Sequence, residues 1–281
     1  MGSFETMTVR FASGNAFVVE HRCTAAYPSV VEESTIELPT LGFVLTGLGI
    51  IEANRTRLFA DPNQIVVFPP GVRYGVRHRG CRRGACALTV QASLGLLGGP
   101  APAPEWWPER PLLLPRPRPV ILALHRLWRV LDQTSWPGES SEVEELVLHL
   151  VDLCLCSDGP FQLASEAEAF RGSHLVERTK EILLSRMREP IRLPELAAEV
   201  GCTGFYLCRL FRRETGTTLS RYLHRLRLNE ALRRFGEGTG GNLSDLALDL
   251  GFASHSHFTA VFRRELGRLP SKLRADSDPS S

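Results

Sequence analysis

LAAEVG at residues 196–201 returns as LALDLG at residues 246–251, and FRRETG at residues 211–216 returns as FRRELG at residues 262–267. Residues 196–216 and residues 246–267 each have the pattern of a helix with an apolar stripe, a turn at glycine, a Thr or Ser cap and a second helix that ends in two arginines. This pattern is typical of a helix-turn-helix. Its repetition predicts two such units in one chain.

The two units span residues 193–214 and 242–266, and Thr203 and Ser254 are the expected caps of their second helices. Residues 219–235, between the units, carry apolar side chains at helical spacing. A helix of that length is roughly 25 Å long. It can hold the second helices of the two units, which we call the reading helices, on one face of a DNA duplex, about one turn (~34 Å) apart. The sequence therefore predicts a sequence-specific DNA-binding protein. The side chains expected to face the core are Leu207, Leu210, Phe211, Phe258, Val261 and Phe262.

Charge is divided unevenly along the 281 residues, although the net charge is only +2. Residues 1–170 hold 14 Lys and Arg against 18 Asp and Glu, a net −4. Residues 171–275 hold 19 against 11, a net +8, and the last six residues add two aspartates. A basic module joined to a mildly acidic one indicates that the C-terminal part is the one that binds a polyanion such as DNA.

The composition and the cysteines favour a soluble cytoplasmic protein. The sequence has no N-terminal secretory signal and no run of the ~20 apolar residues that a membrane span needs. Its seven cysteines are an odd number and scattered, so we expect reduced thiols.

The first hundred residues are typical of β-structure, with short runs rich in Val, Ile, Phe and Thr separated by turn residues. Gly47-Leu48-Gly49 lies between two such runs, as the connection of a hairpin would. Many short antiparallel strands without intervening helices predict a sandwich or small barrel. The predicted strands are Thr8–Phe11, Phe17–His21, Phe43–Leu45, Gly49–Glu52, Ile65–Phe68 and Ala87–Gln91.

Residues 99–119 hold eight prolines in twenty-one positions, which excludes a regular helix or a central strand and predicts a stiff connector. Two helices are expected after it, at Val120–Asp132 and Ser141–Cys156. The second helix has an apolar stripe and glutamates in its first turn. The pair could form a dimerisation element or pack against the β-region, and the sequence leaves both alternatives open.

Residues 173–274 resemble the DNA-binding domain of AraC/XylS-type transcription regulators. The densest match is GFASHSHFTAVFRR at residues 251–264, followed by Gly267, Pro270 and Arg274. The resemblance implies that both second helices enter the major groove. It assigns base contacts to Phe205, Cys208, Arg209, His255, Ser256 and Thr259. It assigns mainly phosphate contacts to Arg212, Arg213, Arg263 and Arg264.

The β-region resembles, more loosely, the cupin-like effector domain of many such regulators, through its turn spacing and DPNQIVVFPPG at residues 61–71. Cupin enzymes bind a metal through several histidines and a glutamate, whereas this chain offers only His78 near the expected strand, and His21 has no partner in sequence. We therefore expect no metal, no catalytic residue and no cofactor. Cys81 and Cys86, or Cys154 and Cys156, could sense thiol chemistry or a soft metal, but structural cysteines are the simpler interpretation.

The predicted fold class is α+β multidomain: an antiparallel β-barrel or sandwich, a helical segment for dimerisation or linkage, and an all-α double helix-turn-helix. The predicted function is an AraC/XylS-type regulator of promoter DNA and not an enzyme; a thiol- or metal-responsive regulator and a cupin enzyme are the alternatives. A homodimer, a small effector in the β-domain and RNA polymerase are the further expected partners. The predicted boundaries are 1–98 for the β effector domain, 99–119 for the connector, 120–156 for the helical pair, 157–172 for a linker, 173–275 for the DNA-binding domain and 276–281 for a disordered tail.

Overall fold

The computed structural model describes residues 5–23, 34–53, 56–79, 85–92, 107–133, 140–155 and 174–275. Contacts divide the chain into two compact units, Met1–Phe170 and Arg171–Ser281. The predicted linker 157–172 and tail 276–281 lie outside the described residues, as do residues 99–106 of the predicted connector.

Strands of the N-terminal unit form two antiparallel sheets. The six-stranded sheet has the order β1-β2-β9-β4-β7-β10 and the four-stranded sheet the order β3-β8-β5-β6. Each strand predicted from the sequence falls within one of these strands, and the predicted antiparallel fold class is confirmed. The bounds are β1 Glu5–Ala12, β2 Ala16–Cys23, β3 Ser34–Thr35, β4 Thr40–Thr46, β5 Leu48–Ala53, β6 Thr56–Ala60, β7 Gln64–Phe68, β8 Arg73–Arg79, β9 Ala85–Ala92 and β10 Leu112–Pro115.

The predicted hairpin at residues 47–49 is wrong. Strand β4 pairs with β7 and β9, whereas β5 pairs with β6 and β8 in the other sheet. Gly47, with φ of 83°, lies where the chain crosses from one sheet to the other. A short turn between two apolar runs has the same local pattern in both cases, because the pairing partner is chosen by residues far away in sequence.

Alternation along β7 shows how the six-stranded sheet buries both of its faces. Ile65 and Val67 belong to a core shared with helices α1 (Arg118–Gln133) and α2 (Ser141–Leu155), whereas Val66 and Phe68 belong to the core shared with the four-stranded sheet. The apolar stripe predicted for the second helix is buried as expected. The structure thus uses this stripe within the unit, in agreement with the packing alternative.

Part of the predicted Pro-rich connector belongs to the sheet and the core of the N-terminal unit. Residues 112–115 form the edge strand β10 beside β7, and Trp107 is buried. Arg116 is also buried and donates hydrogen bonds to the carbonyl oxygens of Val44 (3.1 Å) and Gln64 (2.8 Å). Burial lowers the pKa of Arg116 to about 10. An edge strand tolerates proline because one side of it needs no ladder hydrogen bonds.

The C-terminal unit is helical. Its long helix α6 (Leu219–Gly236) contacts α3 (His174–Ser185), α5 (Gly204–Thr215) and α8 (His255–Leu266). Helix α6 thus connects the two helix-turn-helix units, as predicted, and we call it the strut. The first helix of this unit ends at Ser185, and turns lead from it to Glu189-Pro190. Among the described helices none is long and apolar enough to cross a membrane. The bounds are α3 His174–Ser185, α4 Leu193–Val200, α5 Gly204–Thr215, α6 Leu219–Gly236, α7 Leu243–Asp249, α8 His255–Leu266 and α9 Pro270–Ala275.

Candidate nucleic-acid interface

The first helix-turn-helix consists of α4, a turn at Gly201 and α5. Gly201 adopts φ of 82° and ends α4. Thr203 then starts α5, and its hydroxyl accepts a hydrogen bond from the backbone N–H of Tyr206 at 3.3 Å. The predicted cap is thereby confirmed, and it satisfies one of the backbone donors that the start of a helix leaves free.

Helix α5 has one buried and one exposed face. Leu207, Leu210 and Phe211 are buried as predicted, and the ring of Phe211 meets Tyr222 of α6 edge-on at 5.0 Å between centroids. The opposite face is open to solvent, and Phe205 at its start is 81% exposed. This ring is therefore accessible to a molecule that approaches the exposed face of α5. The predicted contact residues on this exposed face are Phe205, Cys208, Arg209, Arg212 and Arg213.

The second unit repeats this arrangement with α7 and α8. Ser254 caps α8 by accepting a hydrogen bond from the backbone N–H of His257 at 3.1 Å. Phe258 stacks edge-to-face on Phe252 and Phe262, at 5.2 and 5.5 Å between centroids, which fixes the inner face of the helix. On the outer face, Thr259 is half-buried and its hydroxyl lies 3.5 Å from the ring of His255. The predicted contact residues that are exposed there are His255, Ser256, Arg263 and Arg264.

The paired arginines at the two helix ends differ in their local partners. Arg213 donates to Glu214 and Arg264 to Glu265, each at 3.3 Å. Arg212 and Arg263, the first arginine of each pair, are exposed and make no hydrogen bond or ion pair with any described residue. The same division in both repeats leaves one arginine at the end of each reading helix available to an external anion.

Glu265 anchors the end of α8 to the strut. Its carboxylate is buried and accepts hydrogen bonds from Arg221 at 3.1 Å and from Arg225 at 3.2 Å. Burial alone would raise the pKa of Glu265, but the hydrogen bonds and charges of the two arginines outweigh it and hold the pKa below its usual value. The carboxylate therefore stays ionised, and it fixes α8 against α6.

A second connection joins the strut to the segment that follows α3. Arg227 of α6 is buried and donates to the carbonyl oxygens of Met187 at 2.6 Å and Glu189 at 3.0 Å. In the opposite direction, Arg188 donates to Glu230 of α6 at 3.0 Å. Sequence reasoning missed this junction, because Arg227 stands among other arginines of an arginine-rich helix. Its one local signal is its position between Leu226 and Leu228, on the side of α6 that becomes buried.

The turn glycines of the two units have the same backbone and different surroundings. Gly201 and Gly251 both adopt φ of 82°. A Cβ at Gly201 would meet nothing within 4 Å, whereas one at Gly251 would lie 2.6 Å from the carbonyl oxygen of Arg188 and 2.9 Å from a guanidinium nitrogen of Arg227. The second turn therefore requires glycine for space as well as for conformation.

Three rings pack behind the start of α8. His224 of α6 stacks on Phe252 at 5.8 Å between centroids and meets His257 edge-on at 5.4 Å. Burial, together with the charges of His257, Arg227 and Arg264, lowers the pKa of His224 to about 4. At neutral pH, His224 is therefore an uncharged part of the packing.

In the N-terminal unit, the residues considered for metal or thiol chemistry have other partners. His21 lies 3.0 Å from the hydroxyl of Thr89, and Cys86 lies 3.5 Å from the buried carboxylate of Glu20, which Arg10 also binds at 3.0 Å. Cys154 is buried. Cys81, Cys156 and the His78 side chain lie outside the described residues. Within the described ranges, no group of three or more His, Cys, Asp or Glu side chains could hold a metal ion.

The C-terminal unit is similar in sequence to known proteins. Residues 196–276 match the helix-turn-helix domain family. The chain is similar to the regulatory protein SoxS of Salmonella typhimurium, with 33% identity over 100 residues, 36% of this chain and 92% of SoxS. It is also similar to the HTH-type transcriptional activator RhaR of Escherichia coli, with 29% identity over 36% of this chain and 35% of RhaR. The solved DNA-binding domain of AdpA in complex with a target DNA is 27% identical, with a TM-score of 0.35 over 37% of this chain and 93% of that domain.

Proposed function

We propose that this chain, which belongs to the AraC/XylS family of transcription regulators, reads promoter DNA by placing α5 and α8 in successive major-groove segments. Its family membership follows from the match that spans nearly all of SoxS. DNA binding in the regulation of transcription is the activity of this family, and the charge division agrees with it, since the basic residues are concentrated in the C-terminal unit.

The observation that carries the proposal is the equivalent exposed face of the two second helices. Each helix starts at a hydroxyl cap, buries one face against the unit, and leaves polar or apolar side chains of its first turns open to solvent. In helix-turn-helix proteins these first turns approach the base edges. The base contacts that we propose are those of Phe205, Cys208, Arg209, His255, Ser256 and Thr259.

The proposed roles of the arginines follow from their partners. Arg209 is the side chain suited to a bidentate contact with guanine, worth about 1–3 kcal/mol of discrimination. Arg212 and Arg263 are exposed without partners among the described residues, so no neighbouring carboxylate competes with a phosphate for them. Arg213 and Arg264 each carry a neighbouring carboxylate at 3.3 Å, so we assign them weaker phosphate contacts.

The experiment is a selection of binding sites from random duplexes with the purified chain, followed by binding curves for three variants. Arg209→Ala should relax sequence preference at one base pair. Arg263→Ala should weaken all sequences alike and reduce the slope of log K against log salt by about 0.9. Arg126→Ala on α1, an exposed arginine of the N-terminal unit, is the matched control and should change neither. Equal losses on specific and random DNA for both variants would contradict these roles, and a selection with no preferred site would indicate architectural binding.

The proposal also includes a second copy of the chain and a small effector, both bound by the N-terminal unit, and RNA polymerase. We propose a homodimer formed through that unit, and a small organic effector bound in its apolar interior, to which Val44, Ile51 and Phe68 belong. RNA polymerase is the proposed partner at the promoter, and no catalytic step is assigned. Sedimentation of the full chain tests the dimer, and a ligand-dependent change in DNA affinity tests the effector. In a thiol-responsive regulator, an oxidant would instead change the DNA affinity, and Cys81→Ser or Cys154→Ser would abolish that change.

A further inference from the structure

We propose that Arg227 is a positioning residue that sets the spacing and relative rotation of the two reading helices, and hence which spacing of DNA segments the protein accepts. This inference rests on the proposed function, because it concerns how two DNA-reading helices are held. Arg227 lies on the strut and, being buried, does not face DNA.

Packing of α6 against the two reading helices provides the first part of the connection. The ring of Phe211 on α5 meets Tyr222 near the start of α6, and the ring of Phe262 on α8 lies 6.1 Å from Phe235 near its end. These apolar contacts fix how far apart the two units are along the strut. Such contacts are non-directional, so they hold distance better than rotation about the strut.

Directional contacts at Arg227 supply the second part. Its planar guanidinium donates to the carbonyl oxygens of Met187 and Glu189, which precede the first unit, and it also lies over the ring of Phe252, in the turn of the second unit, at 5.5 Å. One guanidinium therefore contacts the entrance to the first unit and the turn of the second. A fork of fixed N–H donors has a narrow range of acceptable geometries, so rotating one unit against the other breaks at least one contact.

A backbone contact between residue 188 and the turn of the second unit adds to the contacts of Arg227. The carbonyl oxygen of Arg188 approaches Gly251 so closely that a Cβ there would be 2.6 Å from it. The side chain of Arg188 returns to Glu230 on α6, so residues 187–189 are held between the strut and the second turn. The segment that leads into the first helix-turn-helix therefore contacts the turn of the second directly, in addition to the connection through the length of α6.

The experiment measures spacing preference on the site selected by the full chain. One base pair is inserted or deleted between the two contacted segments, which turns the second segment by about 34–36° and shifts it by about 3.4 Å. The wild type should bind the altered sites at least about tenfold more weakly, a loss of ~1.4 kcal/mol. Arg227→Ala should bind the native site more weakly and lose less than about threefold on the altered sites, because the second unit can then rotate to follow the DNA.

Arg233→Ala is the matched control. Arg233 lies on the same helix and binds Glu230 at 2.8 Å and Glu237, so its removal leaves Glu230 with one arginine fewer but keeps the contacts of Arg227 with Met187, Glu189 and Phe252. It should keep the wild-type spacing penalty. If Arg227→Ala unfolds at the assay temperature, Arg227→Lys gives the same measurement, because lysine keeps the charge but replaces the planar fork with a single nitrogen.

An unchanged spacing penalty in the folded Arg227 variants, with affinity lowered equally on all sites, would overturn the positioning role. That result leaves the proposed function intact, because the wild type would still select a site with two segments. If the wild type selects no such site, the proposed function itself fails, and the spacing proposal with it.

Discussion

Alanine at the two turn glycines separates the demands of backbone conformation from those of space. Gly201→Ala and Gly251→Ala both place a Cβ on a backbone with φ of 82°, so both carry the cost of a left-handed L-residue, about 1–2 kcal/mol. Only at Gly251 does the new Cβ overlap the backbone of Arg188, at 2.6 Å from its oxygen and 2.8 Å from its carbonyl carbon. Relieving such an overlap costs typically 1–3 kcal/mol. We therefore expect a loss of about 1 kcal/mol of unfolding free energy for Gly201→Ala and about 3 kcal/mol for Gly251→Ala.

Urea unfolding of the full chain can report the two units separately. The four tryptophans lie at residues 106, 107, 128 and 136, so tryptophan fluorescence follows the N-terminal unit. Far-ultraviolet circular dichroism is dominated by α3–α9 of the C-terminal unit. Both variants should lower the urea midpoint measured by circular dichroism, and Gly251→Ala should lower it more than Gly201→Ala. Neither variant should change the midpoint measured by tryptophan fluorescence. Equal losses for the two variants would refute the reasoning, because they would show that the Arg188 carbonyl yields without cost.

Two further predictions concern the reading helices and their packing. Thr203→Ala and Ser254→Ala should each lower the free energy of unfolding by about 1 kcal/mol in the same dichroism assay, because each removes a cap hydrogen bond. A loss smaller than the error of the assay would contradict this prediction. Because the folded pKa of His224 is about 4 and its unfolded value about 6.5, stability should fall as pH drops from about 6.5 towards 4. His224→Phe keeps a ring on Phe252 and should flatten this fall in the C-terminal unit, and an identical pH profile would exclude His224 as its source.

The helical unit could be predicted in detail because its signals are local. A cap, a turn glycine and an apolar stripe lie within a dozen residues of each other, and all three occur twice. Thr203, Ser254 and the buried faces of both second helices stand where those signals place them. The outward residues are a geometric consequence of the same periodicity, since a helix that buries Leu207 and Phe211 must expose Arg209.

Features that depend on distant partners could not be predicted. The crossing at Gly47 and the strand at residues 112–115 are decided by pairing with strands elsewhere in the chain. The junction at Arg227 joins residues about forty positions apart in sequence. The position of Arg227 between Leu226 and Leu228 does not by itself distinguish an arginine that will bind buried carbonyl groups from one that will face DNA, because arginines occur all along this helix.

The central claim is that α5 and α8 contact DNA together, and hydroxyl-radical footprinting of the full chain on its selected site tests it most directly. We predict two protected segments on one face of the duplex, separated by about one helical turn, with Arg209→Ala altering contacts in only one of them. Protection of a single short segment, or loss of both segments on changing Arg209 alone, would contradict the account.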